Sequence, residues 1–66
     1  MSDQTDFYNC VQMEKIIDEI NSGKLKRSQY QKYQKILRNL ADDTRLWSKS
    51  CSDKFDTLEE QGFFNF

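Results

Sequence analysis

Nine positions between Tyr30 and Leu58 constrain this chain more than any other feature. Tyr30, Tyr33, Leu37, Leu40, Thr44, Trp47, Cys51, Phe55 and Leu58 step along the sequence by 3, 4, 3, 4, 3, 4, 4 and 3. An α-helix turns once in about 3.6 residues, so this spacing puts all nine on one face, close to a heptad seam. Ile36 and Leu46 widen the seam at its sides. An earlier segment, Asp6 to Asn21, carries Cys10, Met13, Ile17 and Ile20 at 3-4-3 spacing. It reads as a first amphipathic helix. Thr5 is placed to cap its start and Gly23 to end it, because glycine adopts positive φ without strain. There is no proline, and Gly62 is the other strong breaker.

These features predict an all-α chain, an antiparallel helical hairpin with either a long second helix or a short third helix folding back. With 66 residues it reads as a single small helical domain, 1–66. The expected elements are a helix at about 6–21, a loop at 22–27, a helix at about 28–47 and an aromatic tail at 62–66. Ser28 and Gln31 have capping-box spacing at the start of the second helix. That helix either continues to about residue 60 or breaks near Ser48–Ser52, where three serines and Asp53 favour a cap. In that case Ser50 and Asp53 start a third helix.

The unbroken seam favours the longer version. An antiparallel partner of about 16 residues reaches only to about residue 42. Trp47, Phe55 and Leu58 would then lie on an overhang and require another molecule to cover them. In that geometry Cys10 and Cys51 sit about 20 Å apart, too far for a disulfide. Two lone cysteines and no histidine leave no complete zinc site, so no metal or cofactor is expected. Buried free thiols fit a reducing compartment. The polar start MSDQTD has no signal-like apolar region, and no apolar run is long enough for a membrane span. A cytoplasmic location follows as the expectation.

Charge is unevenly distributed. The net charge is −1, but residues 1–19 sum to −4, residues 20–41 to +6 and residues 42–66 to −3. The basic 24–38 segment, KLKRSQYQKYQKILR, interleaves cations with tyrosines, as a nucleic-acid surface does. On a helix, however, Tyr30 and Tyr33 fall on the apolar seam while Lys32, Lys35 and Arg38 fall opposite. Local pairing to Glu14, Asp18, Glu19 and Asp42 reduces the positive field, least at Lys24, Lys26 and Arg27. Catalysis has little basis. No histidine base or Gly-rich phosphate loop is present, and Asp42-Asp43 and Glu59-Glu60 are adjacent acids without a cleft.

The functional expectation is a non-enzymatic protein-binding module that docks by a helix face. A small phage- or plasmid-type modulator or inhibitor of a host protein would have this character. Its expected anchors are Trp47, Phe55, Leu58, Phe63, Phe64 and Phe66, since aromatics dominate such contacts. Two readings of the tail stay open: a docking peptide, or a cap folded back over Phe7, Tyr8 and Val11. One alternative function is a nucleic-acid-binding protein using Lys24, Lys26, Arg27, Lys32 and Lys35. The other is a self-assembling helical structural protein whose overhang pairs with a second copy.

Overall fold

A computed structural model describes residues 2–65, and the side chains of residues 4–65. The chain is all-α: α1 spans Ser2–Asn21, α2 Tyr30–Asp43 and α3 Lys49–Glu60. A 3-10 turn, Arg27–Gln29, leads into α2, and a second, Phe63–Asn65, follows α3. No strand occurs among the described residues.

Two of the three helix ends follow from glycine. Gly23, at φ 75°, lets the chain leave α1, with Ser22 N donating to Asp18 O and Gly23 N to Ile20 O. Gly62, at φ 80°, does the same after α3. The starts differ from expectation. Helix α1 spans Ser2–Asn21, so Thr5 lies within it and not at its N-cap. The Ser28–Gln31 box is not the device that opens α2. Gln29 closes the preceding turn instead, its backbone N donating to Lys26 O and its side chain accepting from Lys26 N.

The long second helix is not formed; the chain breaks and returns. The break lies at 44–48 and ends on Ser48, the first residue of the serine cluster, near where the shorter version places it. Thr44 adopts an extended conformation, φ −101° and ψ 123°. Its hydroxyl donates to Leu40 O at 2.6 Å, and its carbonyl accepts from Trp47 Nε1 at 3.1 Å. Ser48, not Ser50, caps α3, accepting from Cys51 N. The deciding contact comes from α1. The carboxylate of Asp6, only 3% exposed, accepts from Arg45 N at 3.1 Å and from Leu46 N at 3.3 Å. Two backbone donors that a continuous helix would have used internally are satisfied here by one carboxylate.

Helix α1 packs against both α2 and α3. The molecule is 35 Å long and 19 Å across. That length fits a 20-residue α1, which rises about 30 Å. Helix α3 runs parallel to α1: Ser50 Oγ bonds Glu14 Oε1 at 2.8 Å, and Lys54 Nζ reaches Glu14 at 3.4 Å and Asp18 at 3.1 Å. Glu14 and Asp18 thus face α3, where they had been expected to balance the basic segment. The core is Cys10, Met13 and Ile17 of α1, Leu37 of α2, Cys51 and Leu58 of α3, and Phe63. An aromatic row fills the space between α2 and α3. Trp47 meets Phe55, Phe55 meets Phe64, Phe64 meets Phe63 and Phe63 meets Tyr30, with centroids 5.2–5.4 Å apart. The tail is clasped by α2: buried Gln34 donates to Phe63 O at 2.7 Å and Arg38 to Phe64 O at 3.1 Å.

Substituting Asp6→Ala removes the acceptor for two backbone donors at once. Charged hydrogen bonds contribute about 1.5–3 kcal/mol each, so the unfolding free energy falls by at least about 2 kcal/mol. Asp6→Asn keeps one acceptor oxygen and loses less. Urea unfolding followed by far-ultraviolet circular dichroism measures the order wild type, Asn, Ala.

Candidate functional site: an apolar groove between α1 and α3

The Asp6 contact bends the chain at 44–48 and raises Leu46 and Trp47 beside the first half of α1. A groove of about 490 Å³ lies there. Phe7, Cys10, Val11 and Glu14 line it from α1; Leu46, Trp47, Ser48 and Ser50 line it from the loop and the start of α3. Its walls are mostly apolar carbon. Cys10 lies on its inner side, with its thiol directed at Leu46 O, 3.9 Å away.

The rim of this groove is the apolar surface left open by the fold. Phe7 is 73% exposed, Leu46 64%, and the adjoining Tyr8 61%, while Val11 is more than one-third exposed. Single exposed apolar residues are ordinary on a protein surface. Three of them, Phe7, Val11 and Leu46, border one concavity, an arrangement of the kind that marks interaction sites. The patch is held on well-fixed backbone: α1 on one side, and on the other a loop bound by Asp6, the Trp47 indole and the Ser48 cap.

The residues expected as docking anchors occupy different places. Leu58 and Phe63 are buried in the core, at 1% and 4% exposure, so neither presents surface to a partner. Phe55 and Phe64 are half-buried within the aromatic row. Trp47 packs on the core from one side and lines the groove with the other. Phe66 lies outside the described residues. In the described part of the tail, Phe63 and Phe64 pack with Tyr30 and Phe55 rather than over Phe7, Tyr8 and Val11. Sequence periodicity passed over the actual patch because it selects residues that repeat on the buried face. The available signal was the converse: Phe7, Tyr8 and Val11 lie off the apolar face of α1, and Leu46 lies beside the seam.

The basic residues form a separate surface. Gln31, Lys32, Gln34, Lys35 and Arg38 line a shallow cleft of about 540 Å³ on α2, with no acid among them. Lys24, Lys26 and Arg27 are exposed on the preceding connection. Lys32 Nζ lies 5.9 Å from the Tyr33 ring centroid, and Arg38 sits over the Phe64 ring at 5.3 Å. No group of three or more potential ligands is placed to hold a metal ion among the described residues. Among the described residues, no helix is long and apolar enough to cross a membrane.

Behind the groove, burial pushes the Cys51 thiol up to about 12, and the neighbouring Cys10 thiol and Glu14 add to the shift. Hydrogen bonding to Asp18 raises Lys54 above its ordinary value. Both groups therefore hold a proton in the folded chain at pH values where the unfolded chain releases it. For Cys51 that window opens near 9.0 and closes near 12. Within it the unfolded state binds fewer protons, so stability falls as pH rises, by at most about 1.4 kcal/mol per pH unit. The Lys54 contribution is intact below 10.5 and is lost above it, in the same direction. Urea midpoints at pH 8, 9, 10 and 11 are expected to fall progressively, and Cys51→Ala to flatten the decline. Compared with models of known families, with curated proteins and with solved structures, the chain matches none.

Proposed function

We propose that this chain is a non-enzymatic protein-binding module, a small modulator or inhibitor of a larger protein, which docks an apolar segment of that protein into the α1/α3 groove. The supporting observation is the exposure of Phe7, Val11 and Leu46 around a preformed apolar concavity. Leaving such side chains in water forgoes burial free energy of about 1.5–3 kcal/mol each, a gain that a partner recovers. Phe7 and Leu46 act as the outer anchors. Trp47, already held by Thr44 O and Phe55, supplies a rigid inner wall at low entropic cost.

A second reading has its own observation. The α2 cleft gathers Lys32, Lys35 and Arg38 without an acidic neighbour in its lining, which suits a polyanion such as nucleic acid. The apolar groove ranks above it because the cations also have roles within the fold. Arg38 is tied to Phe64 O and its ring.

The test uses tagged wild type, Phe7→Asp/Leu46→Asp and Lys32→Glu/Lys35→Glu chains to capture partners from the native cell under nuclease treatment. A stoichiometric protein is expected with wild type and with the lysine variant, and is expected to be lost with the groove variant. Both groove positions are exposed, and circular dichroism of the variant checks that its helices are retained. Nucleic acid recovered without nuclease, and lost only in the lysine variant, would establish the second reading. Recovery solely of untagged copies of the chain would make the groove a self-association face.

A further inference from the structure

The fold brings Cys10 and Cys51 together, and the polar contacts between α1 and α3 fix where they meet. Glu14, one turn beyond Cys10, bonds Ser50, the residue before Cys51, at 2.8 Å. Lys54, one turn beyond Cys51, reaches Asp18, two turns beyond Cys10. With this register set, the two thiols are neighbours within one buried cluster, Cys10 at 4% exposure and Cys51 at 0%. Both are free. Their settings differ. Cys10 lines the groove, which opens to solvent, whereas Cys51 lies behind it.

We infer that Cys10 and Cys51 form an oxidisable dithiol in which Cys10, reached through the groove, reacts first with a peroxide and Cys51 resolves it as an intrachain disulfide. Peroxide takes two electrons from the Cys10 sulfur, giving a sulfenic acid and one water. The Cys51 sulfur then attacks that sulfur. The S–S bond forms, the S–OH bond breaks, and the Cys51 proton leaves with the hydroxide as a second water. Two thiols and one peroxide thus give one disulfide and two waters. Of the two sulfurs only Cys10 lines the groove, so the first oxidation falls on Cys10 and Cys51 remains a thiol for the second step. The bridge would join α1 to α3 across the whole of α2 and fix the spacing of the groove walls. The inference does not depend on what the groove binds.

The test treats the folded protein with hydrogen peroxide, removes the oxidant, then unfolds and alkylates the chain with N-ethylmaleimide for intact-mass measurement. The expected product is monomeric, two hydrogens lighter and without alkylatable thiols, and dithiothreitol restores both. Closing so long a loop should raise the thermal midpoint by about 10 °C or more. In Cys51→Ala, dimedone should trap Cys10 as its sulfenic acid; in Cys10→Ala, Cys51 should stay reduced under the same exposure. Two alkylatable thiols after treatment, a disulfide between chains, a bridge that lowers the midpoint, or oxidation of Cys51 without Cys10 would each overturn the inference. The wild-type mass and midpoint decide it if either variant fails to fold.

Discussion

The carboxylate of Asp6 determines the path of this chain. A helix that ends in mid-seam leaves backbone donors and acceptors to be satisfied elsewhere, and a buried polar group without a partner is costly. Asp6 accepts from Arg45 N and Leu46 N, 39 and 40 residues away in sequence. Thr44 and Trp47 satisfy neighbouring groups locally, and Ser48 opens the next helix. With the chain turned there, α3 lies parallel to α1, Lys54 reaches Glu14 and Asp18, and the aromatic row closes the gap to α2. The groove is a by-product of the same turn, because the residues at its bend are lifted beside the first half of α1.

The helical class, the ends at Gly23 and Gly62, and the buried face of α1 were legible in the sequence. Cys10, Met13 and Ile17 follow from spacing, and positive φ from glycine. The break at 44–48 was not legible from apolar spacing. A seam running from Tyr30 to Leu58 is compatible with one long helix, and equally with two helices that both bury their seam residues. Leu37, Cys51 and Leu58 are buried in the second arrangement just as the pattern requires. What separates the two is a polar contact between residues some 40 positions apart, and local periodicity carries no trace of it. The helix expected from Asp6 in fact spans Ser2–Asn21, which sets Asp6 inside α1, on the side that meets the turn.

The same reasoning explains why the surface was harder to read than the core. Phe63 and Phe64 are apolar and lie near the end of the sequence, features that suit a docking peptide. Two side chains of α2, Gln34 and Arg38, instead hold their carbonyls and draw the rings into the molecule. A buried glutamine is seldom identifiable in advance, since its surroundings make it a core residue. Conversely, the groove rim consists of residues that lie off the repeating apolar face, and spacing alone does not mark them.

Trp47 is the sole tryptophan, and its position gives the molecule an internal optical probe. One edge of the indole is bonded to Thr44 O, one ring meets Phe55 nearly at a right angle, and another part lines the groove. Its fluorescence therefore originates at the junction of the turn, the aromatic row and the proposed docking surface. Loss of the turn would wet the indole and shift its emission to longer wavelength. Occupation of the groove would dry the exposed part and shift it the other way. A single unlabelled side chain thus distinguishes, by the direction of a colour change, between the chain coming apart and the chain being engaged.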